Sequence, residues 1–315
     1  MIQPVAADGL DPIDDAAPSA DADDAVDPLD AKGARLPFGT WLAGGWLVLL
    51  AVVSVFADLL PLNDPNAQVA SVPRLAPGQE GLLLGADANG RDMLARLVYG
   101  GRVSLMISVG SVLIGFLVGG LLGLIAGFYR NWVSRILASL FDIMLSIPAL
   151  VLTLALVAVL KGSPTDTESF KMDPALILVL ALGVVSIPLL ARITRANTMS
   201  WAQREFVTAA RAQGATGSRI LFREILPNVL PAMVYISLLG MGIAMVAEGG
   251  LALLGASVEA PQATWGTMIN LGRADMRDAP FIMFFPIIAV FLTVLSMNYL
   301  SDVVRDRFDV RESAL

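Results

Sequence analysis

Between residues 40 and 300 the chain returns six times to a run of about twenty mainly apolar residues. A run that long spans the ~30 Å of a bilayer's hydrocarbon core as a helix rising 1.5 Å per residue. Inside hydrocarbon the backbone must satisfy its own polar groups, which leaves only helices or a closed barrel. Runs without strict alternation select the helix. The predicted spans are 40–60, 103–128, 136–160, 174–193, 229–254 and 281–300. The fold class read from them is an all-α membrane protein with six transmembrane helices. An even count puts both termini on one side. A composition 56% hydrophobic and 16% charged, with mean hydropathy +0.71, agrees with a polytopic chain.

Charge sets the orientation. The net charge of −7 belongs to one end, where the first 30 residues hold nine Asp and no Lys or Arg. Setting those nine aside lowers 28 acidic side chains to 19, against 21 basic ones. The Ala-, Asp- and Pro-rich segment 1–38 cannot bury a core and reads as a disordered, solvated cytoplasmic tail. With the termini inside, thirteen basic residues lie on the inner side and eight on the outer, the bias of the positive-inside rule. The remaining expected divisions are 39–101 for the first helix and an external segment, 102–302 for the main transmembrane domain, and 303–315 for a cytoplasmic tail.

Several chemistries are excluded by residue type. The chain has no Cys and no His, so disulfides, thiolate or imidazole metal sites and His-dependent nucleophile pairs are absent. Its lysines, Lys32, Lys161 and Lys171, follow Ala, Leu and Phe, so no Gly-Lys-Ser/Thr phosphate loop exists in these 315 residues. No catalytic, cofactor-binding or metal-binding residue is expected.

Within the spans, SIPALV (146–151) and SIPLLA (186–191) each place a proline where a kink is expected. Gly115, Gly119 and Gly123 fall at i, i+4, i+8 and let another helix come close. Asp142 and Glu248 lie within spans, with no basic partner identifiable there. Each is expected to face the bundle or an interface, and ion or proton coupling is the functional alternative.

One polar segment interrupts the pattern. EFVTAARAQGATGSRILFREILPN (205–228) places Phe206, Ala209 and Ala210 on one face, then Phe222, Ile225, Leu226 and Val229 on another. Gly214 separates the halves, Gly217 and Ser218 supply a turn and N-cap, and Pro227 is expected to end the second helix. The reading is helix, turn, helix. The alternative from periodicity alone is a pair of interfacial helices on the inner leaflet.

The stretch TAARAQGATGSRILFREILP resembles the cytoplasmic EAA loop of binding-protein-dependent ATP-binding-cassette import permeases. Ala209 and Ala210 precede Gly214 by the family interval, and Leu226–Pro227 follow after eleven residues. Thr208 replaces the pattern's Glu, and Glu224 stands where many relatives of the peptide branch carry His. LGADANGRDMLARLVYGGRVSL (84–105), AEGGLALLGASVEAPQATWGTMI (247–269) and SDVVRDRFDVR (301–311) resemble the C-type subunit of the peptide and nickel importer branch.

The resemblance implies a type I importer permease fold in the bacterial inner membrane. It implies a coupling loop at about 200–228 that docks on a cytoplasmic ATPase through Glu205, Phe206, Ala209, Ala210, Arg211, Gly214, Ala215, Arg219, Ile220, Phe222, Leu226 and Pro227. The implied partners are a second homologous permease, two ATPase domains that bind ATP and Mg, and an extracytoplasmic solute-binding protein; membrane lipid surrounds the chain and nucleic acid has no part. The implied cargo is a dipeptide or oligopeptide, with nickel chelates or another small solute as alternatives. A stand-alone secondary transporter is the reading from another class. Deleting residues 2–30 is expected to leave membrane insertion and uptake within about twofold of the full chain, measured as initial uptake at matched membrane levels.

Overall fold

The structure, a computed structural model, describes residues 37–129, 131–162 and 172–312, with side chains as far as Phe308. The acidic-tail reading falls on residues up to 36, outside the described ones. Lys32, Arg35, Arg130 and Lys171 also lie outside them, as does the side chain of Arg311.

Among the described residues nine α-helices set the architecture. They are α1 Phe38–Val55, α2 Met93–Phe128, α3 Trp132–Ser146, α4 Ala149–Lys161, α5 Pro174–Trp201, α6 Glu205–Ala212, α7 Gly217–Leu253, α8 Trp265–Gly272 and α9 Phe281–Glu312. Five of them are long and apolar enough to cross a membrane, and α3 with α4 forms a further pair bent by 94°.

Glycines decide the topology. Along α2, Gly110, Gly115, Gly119, Gly123 and Gly127 stand against Val179, Ser186, Ile187, Ala191 and Thr198 of α5. A Cβ on Gly119 would lie 2.5 Å from the Ile187 carbonyl oxygen, and one on Gly127 2.7 Å from that of Arg195. Residue numbers rise together on both helices, so α2 and α5 run parallel. Two parallel crossings require a return crossing between them, and α3–α4 is that return. The bent pair is therefore one span, and the described residues hold six spans, as the apolar runs predict. The seam also extends one step beyond the three glycines singled out by spacing, to Gly127.

Two further pairs are antiparallel. Gly39 meets Tyr299 and the Trp46 indole donates to Thr293 Oγ1 at 3.2 Å, setting α1 against α9. Gly242 meets Val294, and Ser301 Oγ donates to the Tyr235 carbonyl at 2.7 Å, setting α7 against α9.

The two SIP prolines do not behave alike. Pro148 sits at the bend between α3 and α4, where Ile147 and Pro148 both have extended backbone. Pro188 rides inside continuous α5, buried. The difference is packing. Around Pro188 the helix is held against α2, with Ser186 Oγ donating to the Ser111 carbonyl at 3.0 Å, whereas residues 146–151 are all exposed and little opposes the break.

The second helix begins at Met93, ten residues before the predicted apolar run. At 1.5 Å per residue its 36 residues reach about 54 Å, so its first turns stand outside the hydrocarbon. Those turns carry Arg96, and Asp92 caps them by accepting from the Leu94 and Ala95 amides. The preceding segment folds over the end of α2 around Ala70, Leu75, Leu82 and Ala86. Asp87 fastens it, accepting from Arg91 Nε at 2.7 Å and lying 3.4 Å from Arg96 Nε.

Replacing Gly119 or Gly123 by Leu is expected to cost at least the ~1–3 kcal/mol typical of an overpacked core. Gly44→Leu on α1, where nothing lies within 4 Å, should leave the melting temperature in detergent within about 2 °C of the parent. Similar melting for all three would remove the seam as a packing contact.

Candidate functional site

The site is built on α7 and has two ends. At the inner end, α5 finishes in the turn Ser200–Arg204, where the Gln203 amide donates to the Ser200 carbonyl at 3.2 Å and the Arg204 amide to that of Trp201. Short helix α6 follows. It is anchored through Val207, 1% exposed, and the half-buried Ala210, one turn apart on the same face. These join Leu124 of α2 and Ile220, Leu221, Ile225 and Val229 of α7 in one apolar cluster.

The chain then reverses at Gly214. The Ala215 amide donates to the Ala210 carbonyl and the Gly214 amide to that of Arg211, both at 3.0 Å, which closes the helix as a Schellman motif. Gly214 has φ +81°, the left-handed region that costs other L-residues about 1–2 kcal/mol. Nothing lies within 4 Å of the place its Cβ would occupy. The left-handed turn that ends α6 is what requires the glycine.

The second half departs from the helix–turn–helix reading. Residues 217 to 253 are one helix, so no second short helix ends at Pro227; Pro227 stands near the start of the α7 ladder that follows a π segment, Ile220–Ile225. The cap residue is Thr216, with extended backbone, and Ser218 lies within the first turn. A π segment widens the turn and advances the phase by about one residue. The inward set therefore becomes Ile220, Leu221, Ile225 and Val229, and Phe222 turns out to 50% exposure. The predicted face of Phe222 with Ile225, Leu226 and Val229 is split by that shift.

The other expected site residues sort in the same way. Glu205, Phe206, Ala209, Arg211, Arg219 and Pro227 are exposed. Ala215 and Leu226 are half-buried, and Ile220 is buried. The outward surface thus carries Phe206 and Ala209, an i, i+3 pair on α6, with Phe222 beyond. Arg204 stacks over Trp201 at 5.3 Å and Arg211 over Phe128 at 5.7 Å, pinning the insert to the ends of α5 and α2. Val207 and Leu221 went unread because their neighbours Phe206 and Phe222 have the larger apolar side chains.

At the outer end, α7 carries Glu248, 1% exposed. Its Oε1 accepts from Ser257 Oγ and Thr264 Oγ1, each at 2.7 Å. Gly266 lies so close that a Cβ there would stand 2.7 Å from Oε2. The carboxylate needs no basic partner because neutral donors from one loop satisfy it. That loop leads into α8, whose Trp265 is buried against α2, its amide donating to Ser104 Oγ at 3.0 Å and its indole to the Leu97 carbonyl at 2.8 Å. Arg96 Nη1 reaches the Pro65 carbonyl at 3.1 Å and that of Pro261 at 3.4 Å. The outer hairpin is thus bolted to α7 by Glu248 and to α2 by Trp265 and Arg96. Hydroxyls nine and sixteen residues after a buried acid were the available signal in the sequence. Asp142, the other intramembrane acid, is exposed on α3.

Among the described residues, no group of three or more His, Cys, Asp or Glu could hold a metal ion. The geometry is mechanical: a helix of 37 residues fixed to an inner insert and an outer hairpin.

Glu248→Leu is expected to leave two buried hydroxyls without their acceptor, at about 1–3 kcal/mol each. Glu248→Gln keeps Oε1 and should lose less than half as much in thermal unfolding. Equal losses would mean that charge, and not acceptor geometry, matters at this position.

Residues 119–311 match the family described as binding-protein-dependent transport system inner membrane component. Among curated relatives, the glutathione transport system permease protein GsiD of Pectobacterium atrosepticum is 35% identical, over 85% of either chain. The di/tripeptide transport system permease protein DppC of Pseudomonas aeruginosa is 36% identical, over 84% of this chain and 86% of its own. Among solved structures, the inward-facing MetNI methionine ABC transporter aligns with a TM-score of 0.54 at 19% identity, covering 68% of this chain and 97% of that one. That likeness shows the fold alone.

Proposed function

This chain belongs to the binding-protein-dependent transport system inner membrane components, and from that premise we propose that it carries short peptides inward as one half of a transport pathway. It is a multi-pass inner-membrane permease subunit of an ABC importer. Two relatives named for glutathione and for di- and tripeptides support the cargo, since both substrates are peptides of two or three residues. A second permease completes the pathway, two cytoplasmic ATPase domains bind ATP and Mg, and a solute-binding protein delivers the peptide outside. The chain itself hydrolyses nothing; the lack of a phosphate loop supports that reading.

The observation that carries the coupling assignment is the division of the insert. Val207 and Ala210 root α6 in the bundle, while Ala209 and part of the Phe206 ring, which leans on Trp201, remain exposed. A small apolar surface held on such a rigid stem suits docking into a groove on an ATPase. When the ATPases close, α6 moves with them. Ile220, Leu221 and Ile225 pass that displacement to α7, and Glu248 passes it on to the outer hairpin. Access alternates because two discrete packings, and not a continuous deformation, are available to such a bundle.

Phe206→Asp or Ala209→Glu is expected to lower uptake at least tenfold by burying a carboxylate in the docking groove, while the chain still inserts. Uptake of radiolabelled dipeptide in cells, with membrane levels measured alongside, checks it. Gentle detergent purification should bring P-loop ATPases with the parent chain and fewer with either variant. Unchanged uptake in both variants would sink the docking assignment.

A further inference from the structure

Helix α3 presents three sectors. Ser134 and Phe141 face the bundle and are buried. Trp132, Ile136, Leu140 and Ile143 recur at i, i+4, i+8 and i+11 as an exposed apolar ridge. Arg135, Ser139, Asp142 and Ser146 recur at i, i+4, i+7 and i+11 as an exposed polar ridge. At 100° per residue the two ridges point about 90° apart.

This helix climbs through the membrane. Near its start, Ser134 Oγ donates to the Ala126 carbonyl, at the inner end of α2, at 2.5 Å. Just past its end, Leu150 packs 3.8 Å from the Cβ position of Gly250, one turn from the outer end of α7. Asp142 therefore lies well inside the hydrocarbon depth. An acid facing lipid there costs ~2.5–3.5 kcal/mol on insertion scales, and the ridge adds two serines to it. The surface this chain offers to lipid elsewhere is different: Trp41, Leu42 and Leu49 of α1 and Phe291 and Leu295 of α9 are exposed and apolar throughout.

We propose that the polar ridge of α3 lines the water-filled translocation pathway, and that Asp142 is a station for the cationic α-ammonium group of the transported peptide. The substrate half of this rests on the peptide-import reading above. Among the described residues no side chain hydrogen-bonds or ion-pairs with Asp142, so its charge is available to a ligand. Ser146 Oγ is turned back onto the Ile143 carbonyl at 2.7 Å, leaving the carboxylate as the charged group of the outer half of the ridge. Arg135 lies seven residues inward, about 10 Å along the helix. That separation suits the two termini of an extended peptide of about three residues at ~3.3–3.6 Å each.

This chain has no cysteine, so an introduced thiol is its only one. Ser139→Cys and Ser146→Cys, each in the assembled complex in native membranes, are treated with cationic and anionic methanethiosulfonates, and labelling is read on this chain after its isolation, against the cysteine-free parent. Both thiols are expected to react. At residue 146 the cationic reagent should be favoured at least threefold beyond its ratio on a free thiol, and adding Asp142→Asn should abolish that surplus. In uptake assays Asp142→Asn should raise KM several-fold for peptides with a free amino terminus and leave it unchanged for N-acetylated peptides, with kcat kept.

Thiols silent to both polar reagents but open to a lipid-soluble maleimide would overturn the pathway assignment, since lipid or the second permease would then cover the ridge. Labelling with no charge surplus, or an equal KM change for both peptide types, would overturn the Asp142 station. A complex that labels as expected yet imports no peptide would overturn the cargo reading and leave the pathway wall standing.

Discussion

The contact on which the rest of the molecule depends is the glycine seam between α2 and α5. Lipid tails give helices no hydrophobic reason to associate, so close backbone approach and the dispersion it allows must hold them. Gly119, Gly123 and Gly127 bring α2 within Cβ distance of the α5 backbone, and Gly115 against the Ser186 and Leu190 side chains, over about three turns. Because that seam is parallel, the chain between the two helices has to recross the membrane. The 94° break at Pro148 is tolerated inside that crossing because the exposed residues around it make few contacts that a bend would disrupt.

A second consequence follows from the length of α7. A helix of 37 residues reaches past both faces of a bilayer, so one rigid element touches the inner insert and the outer hairpin at once. Each end is fastened differently. The inner end is held by packing, through Val207, Ile220, Leu221 and Ile225, which allows sliding by small repacking steps. The outer end is held by directed bonds from Ser257 and Thr264 to Glu248, which resist separation. Soft coupling at the end that is pushed and stiff coupling at the end that follows is a sensible arrangement for transmitting a displacement.

The cytoplasmic insert shows where sequence periodicity stops being sufficient. Its position, its first helix and its turn were legible from 205–228, because Gly214 and the apolar spacing are local signals. The face it presents was not. A 3.6-residue period assumes an uninterrupted α ladder, and the π segment at Ile220–Ile225 offsets the side chains before Ile225 from those after it by roughly a residue. Phe222, counted inward by period, therefore faces out, and Leu221 takes its place. Ala210 likewise turned out to support the insert from beneath, leaving Ala209 on the outside.

What the sequence determined by itself was the number of crossings and their order, because hydrocarbon thickness and backbone satisfaction act on local composition. The motifs of 84–105, 205–228, 247–269 and 301–311 determined the family for the same reason: they are contiguous strings. Only the tertiary structure decided which of two identical Ser-Ile-Pro triplets would break its helix, since proline's missing amide is harmless where a neighbouring helix holds the chain straight and decisive where none does. It alone separated the two intramembrane acids, for Glu248 is closed off by hydroxyls brought from another segment, while Asp142 stands open on α3. Partners that lie nine to 75 residues away meet only when the bundle forms, and no local pattern encodes them.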